Sequence, residues 1–468
     1  MQLLIKNATI VNATDTKVAD ILINGRHIDR IAKNLEIPAD TLVKEVDASN
    51  MLAFPGGIDP HVHMSLPTNA GYSSDNFYTG SRAALMGGTT TIIDFVTPQK
   101  GMSLQEAITN RLDEARDCLT DFSFHVSPVE WRDSIPDEIQ SCIQDGIPSF
   151  KLYMAYKDAI GVDDATLEGV MRSVAANNGL VTLHCETGDE VDALRDAFAS
   201  DGGLSPAFHP LSRPAETESS AVKKAISLAG KTGCPIYIVH TSAASSISHI
   251  RKARQNGQTV MAEVCPQHLL LDEIVYNQAF DKSAPYVLSP PLRSSTNRAA
   301  LWEALAEGVL QTVATDHCPF FMQQKQAGRD DFRKIPNGAG GVEHRLALLY
   351  THGVKSGHIS DQQFVDLVAT GPAKIFGLYP QKGVIQEGSD ADIVLWDPTA
   401  KRKITAATHH QNSDINMYEG METIGHPQMV ITKGAIVMAD DVMKATPKGE
   451  FLRRKTFLLT STPNWQTP

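Results

Sequence analysis

Two histidines one residue apart, His61 and His63, stand in the run PGGIDPHVHM. Strand side chains repeat every two residues, so both imidazoles point to the same side. Two neutral imidazoles side by side suit a divalent metal such as zinc; the plainer alternative is two satisfied polar histidines in a turn. Lys151 lies in IPSFKLYMAY, an apolar run that must be largely buried. A buried, unpaired ammonium is costly, so this lysine must be paired or neutral. It could be a strand-end lysine with a buried stem, a Schiff-base lysine, or a lysine carrying CO2 as a carbamate. The carbamate would turn a cation into an anionic two-oxygen bridge for two metals. His184 in VTLHCE and His240 in YIVHTS each close an apolar run, and each alone could be a satisfied core histidine. Asp316 in VATDHCP could cap a helix, ligate metal or move protons. The order H-x-H, K, H, H, D along the chain is hard to obtain by chance.

The elements that must position these residues follow from the texture of the chain. GIDPHVHM, TTTIIDFV, FSFHVS, SFKLYM, LVTLHCE, PIYIVHT, VMAEVCP and LQTVATDH read as near-continuous apolar strands. Helically spaced segments such as SLQEAITNRLDEARDCL and AVKKAISLAGKTG separate them. Eight strand–helix units predict a closed (β/α)8 barrel of the TIM type, with a doubly wound open sheet as the alternative. In a barrel the chemistry sits at the C-terminal ends of strands, where His61, His63, Asp94, His125, Lys151, His184, His240, Glu263 and Asp316 all fall. His125 and Glu263 carry no assignable role there, and Cys318 beyond Asp316 is a bystander. The barrel is expected over 54–378. Residues 1–53 and 379–448 carry short strands with Gly, Asn and Asp turns, and are expected to form one β-sandwich domain from both chain ends. Residues 449–468 read as a tail with little core-forming content, loose or docked on a neighbouring subunit.

The length of 468 residues exceeds what a single core supports, in keeping with two domains. Lys and Arg number 42 against 54 Asp and Glu, for a net charge of −12. That balance argues against a nucleic-acid partner, which needs clustered basic charge. No apolar run reaches the ~18 residues of a membrane helix, and the start, MQLLIKNATIVNATDTK, is expected not to be a signal peptide. The 6 cysteines form no C-x-x-C pair, which predicts reduced thiols in a cytoplasmic protein. There is no H-E-x-x-H, G-x-S-x-G or phosphate-binding lysine loop.

PGGIDPHVHM, GGTTTIIDF, SFKLYMAYK, LVTLHCE, IYIVHTSA, EVCPQHLLLD, LSPPLR, VATDHCPF, IPNGAGGVEHR and GSDADIVLWD together resemble the dihydropyrimidinase/hydantoinase family of metal-dependent cyclic amidohydrolases. The resemblance runs through nearly the whole chain. It implies that His61, His63 and Asp316 hold one zinc, His184 and His240 a second, and Lys151, carboxylated by CO2 to N6-carboxylysine, bridges both beside a hydroxide. It further implies that Tyr156 donates its hydroxyl to the developing oxyanion. The main chain near Ser289 and Asn337 would hydrogen-bond the ring amide, and Asp316 would carry the proton to the leaving nitrogen. The implied reaction opens a dihydropyrimidine or hydantoin to an N-carbamoyl amino acid, in a homotetramer.

Two segments depart from the family pattern. NGAGGVEHR places His344 where an acidic residue or Asn is more usual, and the loop MSLPTNAGYSSDNF is more polar than in many hydantoinases. The preferred ring substituent is therefore open. Of the rival readings, dihydroorotase would place an arginine where Ser65 stands. Allantoinase is compatible with the ligand set. A non-catalytic assembly protein on the same fold, like the collapsin-response mediators, would lack the ligands that are intact here.

Overall fold

The computed structural model describes residues 2–38, 40, 42–157 and 159–457. All eight expected barrel strands form: β1 (Gly57–Val62), β2 (Thr89–Val96), β3 (Asp121–Val126), β4 (Ser149–Tyr153), β5 (Leu180–His184), β6 (Ile236–Ile238), β7 (Val260–Val264) and β8 (Thr312–Val313). Every residue of these strands is buried, as expected of parallel strands with helices outside and packed side chains inside. They pair in chain order as an 8-stranded sheet. The first and last strands close on each other: His63 N–H donates to His317 O at 2.8 Å, and Arg345 Nη1 bonds both Ile58 O and Val313 O at 2.8 Å. A doubly wound open sheet is thereby excluded.

β8 is shorter than the run LQTVATDH suggests. After Val313, Thr315 is drawn to Asp59, with Oγ1 donating to Oδ2 at 2.6 Å, and the backbone turns left-handed at Asp316, φ 53°. The turn ends the ladder and directs Asp316 over the barrel mouth.

A 9-stranded sheet forms from both ends of the chain. Its joint is the strand Leu52–Pro55. Gln2–Val11 runs parallel to it, pairing Thr9 with Leu52 and Ile10 with Ala53, and Ile393–Lys403 runs antiparallel on its other side, pairing Leu395 with Ala53. The alternation along Ile393–Lys403 explains how this sheet is covered. Ile393 and Leu395 join a cluster with Ile5, Ile10 and Ile21 on one face. Val394 and Trp396 point the other way and pack with Phe54, Tyr350 and Phe364 against the barrel.

Polar ties reinforce that apolar seam. Lys382, 1% exposed, lies between Asp121 of β3 and Asp390 and Asp392 at 2.6, 3.0 and 2.6 Å. The buried ammonium offsets carboxylates from both domains, and they in turn push its pKa up against the effect of burial. Lys382→Met is expected to cost about 3–5 kcal/mol because it strands buried charge. Denaturant unfolding monitored against wild type measures this, and a loss below about 1 kcal/mol would show the carboxylates to be otherwise satisfied.

The described part of the tail corrects the expectation of a loose or partner-docked segment. Phe122 N–H donates to Glu450 O at 3.0 Å and Leu452 N–H to Phe122 O at 2.7 Å. Arg454, 4% exposed, reaches beneath the barrel to Ser123 Oγ, Ser149 Oγ and Phe124 O. The arginine adds to that backbone pairing and to the packing of Phe451 on Phe122 and Phe124 and of buried Leu452 in fastening the segment to its own barrel. Residues 458–468 of the expected tail lie outside the described residues. Among the described residues, no helix is long and apolar enough to cross a membrane.

Candidate active site

The residues singled out in the sequence meet at the C-terminal mouth of the barrel. His61 lies in β1 with His63 just beyond it, Lys151 in β4, His184 at the end of β5, His240 just after β6 and Asp316 just after β8. All of them line one cavity of about 1300 Å³, together with Tyr156, Ser289 and Asn337. Ser65, Tyr156, His240 and Asp316, all on that lining, hold positive φ at 48°, 60°, 36° and 53°. Non-glycine residues held in this region cost free energy, and such strain gathers at functional sites.

The ring nitrogens and carboxylate are aimed at one another. His61 Nε2 lies 3.2 Å from His63 Nε2 and 3.1 Å from Asp316 Oδ1, which is 3.0 Å from His63 Nε2. The ligand atoms of His61, His240 and Asp316 lie within 4.8 Å of one another. His184 Nδ1 faces His240 Nε2 at 2.9 Å. Burial lowers the pKa of His63 and His184, and that of His240 well below its ordinary value. Against burial, Glu263 and Asp316 raise that of His61 to about 9. The neutral imidazoles of His184 and His240 bring two ring nitrogens together, and lone pairs so placed repel unless a proton or metal ion lies between them. The donor set therefore fits divalent cations.

Carboxylates outside the cluster fix which nitrogen faces inward. His61 Nδ1 bonds Glu263 Oε1 at 2.5 Å, leaving Nε2 for the mouth. The same carboxylate accepts from His240 N–H at 3.0 Å and from Tyr237 OH at 2.6 Å. His184 Nε2 bonds Glu186 Oε2 at 2.8 Å, which also takes Arg213 Nη1 at 2.5 Å. Burial alone would raise the Glu186 carboxyl, but Arg213 and His184 hold it down at about 2. These are carboxylate–histidine arrangements of the kind that orient metal ligands. Glu263 had no assignable role in the sequence, and Glu186 and Arg213 were not singled out, although Glu186 stands two residues after His184. Glu263→Gln is expected to weaken metal affinity about 10–100-fold. Competition with a chelator reads this directly, and unchanged affinity would mean that β1 geometry alone orients His61.

Lys151 is 1% exposed. Among the described residues its Nζ has no hydrogen-bond or ion-pair partner, and it lies over the rings of Phe95 and Tyr153 at 5.0 and 5.1 Å. Burial pushes its pKa down to about 8 against the pull of Glu263 and Asp316. The Tyr156 phenol is pushed up by burial, which Arg213 only partly opposes, so the hydroxyl keeps its proton. The Arg213 guanidinium lies over its ring at 5.5 Å. His125 faces away from the mouth, bonding Ser149 Oγ at 2.6 Å and Pro60 O at 3.0 Å, and Cys318 is a buried thiol that burial pushes up. His344 lies behind the mouth against Asn416 and Gln411, at 2.8 and 3.2 Å.

The Amidohydrolase family model matches residues 52–437, which hold the barrel and much of the terminal sheet. The chain is a member of the amidohydrolase family. Within it, the chain is 42% identical to a D-hydantoinase of Geobacillus stearothermophilus, over 98% of this chain and 97% of that one. It is 39% identical to the dihydropyrimidinase of Rattus norvegicus, over 97% of this chain and 89% of that one. The crystal structure of a dihydropyrimidinase from Brevibacillus agri superposes with a TM-score of 0.96 at 41% identity, covering 98% of this chain and 100% of that one. As an amidohydrolase the chain is a metal-dependent hydrolase, and its candidate ligands are those of the barrel mouth.

Proposed function

We propose that this amidohydrolase opens the ring of 5,6-dihydropyrimidines or hydantoins by hydrolysis, giving N-carbamoyl amino acids. The observation that carries the reading is the convergence of His61, His63, Lys151, His184, His240 and Asp316 on one buried mouth beside Tyr156, Ser289 and Asn337. The full-length similarity to D-hydantoinases and a dihydropyrimidinase supports the substrate class.

His61, His63 and Asp316 would hold one divalent metal, most simply zinc, and His184 and His240 a second, with carboxylated Lys151 between them. Two such ions supply a water whose pKa is lowered toward ~7 and a polarised ring carbonyl. The chain's own groups do the rest. Lys151, with its pKa lowered to about 8, gives up its proton far more readily than an exposed lysine and so offers the neutral amine that adds CO2; as a carbamate it would carry a second negative charge beside that of Asp316. Tyr156 keeps its proton and donates it as a hydrogen bond to the ring oxygen as charge develops there. Asp316 takes the nucleophile's proton and returns it to the ring nitrogen as the carbon–nitrogen bond breaks. Ser289 and Asn337 fix the ring amide through their main chain, so the carbonyl meets the nucleophile from one side. The family resemblance further implies a homotetramer, checked by light scattering on the purified protein, and the sparse cysteines, without a C-x-x-C pair, support a cytoplasmic location.

Incubation of the metal-loaded protein with 5,6-dihydrouracil, hydantoin and allantoin in parallel tests the reading. Appearance of N-carbamoyl product from either of the first two is expected. Turnover of allantoin alone would move the substrate class, and turnover of none with two metals bound would overturn it.

A further inference from the structure

Lys325 lies outside the metal cluster, at the end of the short helix Met322–Lys325, and is fully buried. Among the described residues no carboxylate pairs with it. Its Nζ instead donates to Val287 O at 2.9 Å, Pro336 O at 2.7 Å and Gly338 O at 2.7 Å. An ammonium has three N–H donors, so these carbonyls use all of them. A buried cation without a counter-ion is an expensive way to fill space, and burial pushes this one down to about 7. What it holds explains why a cation stands there. Pro336 and Gly338 flank Asn337, and Val287 stands two residues before Ser289. The two loops also meet directly, Gly338 N–H donating to Val287 O at 3.0 Å.

In a trans peptide the C=O and the following N–H point in opposite directions. Drawing Pro336 O toward Lys325 therefore turns Asn337 N–H away from Lys325, on a residue that lines the cavity. That N–H finds no acceptor among the described residues. His209 acts on the neighbouring loop in the same sense: its Nε2 bonds Leu288 O at 2.8 Å, which turns Ser289 N–H away from His209, and that N–H is also unpaired among the described residues.

We propose that Lys325 is a positioning residue for ring recognition, its ammonium locking the Ser289 and Asn337 loops so that their free N–H groups face the substrate's ring amide. The inference rests on the ring-opening reading given above. Lys325→Met removes the donors at similar length, and Lys325→Gln keeps two N–H donors. In metal-loaded protein acting on 5,6-dihydrouracil or hydantoin, Lys325→Met is expected to raise KM at least about tenfold with a smaller change in kcat, the mark of lost ground-state binding. Metal content should match wild type, and Lys325→Gln should fall between the two. A lysine that served the fold alone would lower the melting temperature and the active fraction but leave the KM of the folded enzyme unmoved. A folded, metal-loaded Lys325→Met enzyme with KM within about twofold of wild type overturns the proposal, since lost recognition must appear in KM. Failure of both variants to fold overturns it too, by making Lys325 a requirement of the fold. If wild type opens neither ring, the functional reading fails and the proposal falls with it; if wild type is active, the variants judge the proposal alone.

Discussion

Lys151→Ala is expected to lose turnover by at least about a thousandfold, roughly 4 kcal/mol of transition-state stabilisation. The size follows from where Lys151 sits. It is the cluster's cationic side chain, buried over Phe95 and Tyr153, and among the described residues no carboxylate lies within ion-pair distance of it. As an ammonium it would oppose any metal in the mouth; as a carbamate it would tie two metals together. Alanine removes that bridge and leaves a hole the length of a lysine. A small carboxylate such as acetate or propionate should enter this hole and restore part of the activity, with a concentration dependence that saturates. Metal analysis on the same samples should show content falling below two per chain in Lys151→Ala and recovering with the acid. Retention of full activity by Lys151→Ala would remove the carbamate from the mechanism. Loss of activity without rescue, while metal content stays at wild-type level, would assign Lys151 to positioning rather than to bridging.

The barrel was legible because its strands are buried on both faces and so read as unbroken apolar runs, five of them ending at or near a candidate ligand. His184 and His240 show the logic: a polar ligand at the end of an otherwise apolar run has few reasons to be there. The groups that orient these ligands were not legible. Glu263 and His61 are 202 residues apart, and nothing local to either announces the pair. Arg213 lies in a loop, and Lys325 in a polar stretch, MQQKQAG, that reads as surface; each is buried only because distant segments fold over it. Arg454 was missed for a related reason. The tail around it carries only Phe451, Leu452 and Phe457 as apolar anchors among charged residues, and its docking adds to their packing a guanidinium whose acceptors are Ser123, Phe124 and Ser149 of the barrel. Sequence patterns register burial by apolar contact and miss burial by hydrogen bonding. The length of β8 failed on another count, since the turn at Asp316 needs a left-handed backbone that no residue type in VATDHCP announces.

Asp316→Asn should separate the two duties that fall on one carboxylate. Asparagine keeps an oxygen where Asp316 Oδ1 now lies, 3.1 Å from His61 Nε2 and 3.0 Å from His63 Nε2, so a metal held by the two histidines loses charge but not its whole ligand set. The amide cannot accept a proton from the nucleophile or deliver one to the leaving nitrogen. Positioned proton transfer contributes about 10²–10⁴-fold, and kcat is expected to fall into that range with KM little changed, because the group acts on the transition state rather than on the bound ring. Choice of substrate sharpens the test. Protonation of the leaving nitrogen matters most when that nitrogen is a poor leaving group, so a ring whose nitrogen is already acidic, such as an imide flanked by two carbonyls, should lose less than a simple cyclic amide. Equal losses on both, with metal content intact, would move proton delivery to another group. A parallel loss of metal and activity would instead show that the carboxylate's charge is needed first to hold the cation. A kcat within about threefold of wild type, far short of what general acid–base catalysis supplies, would leave Asp316 a ligand and nothing more.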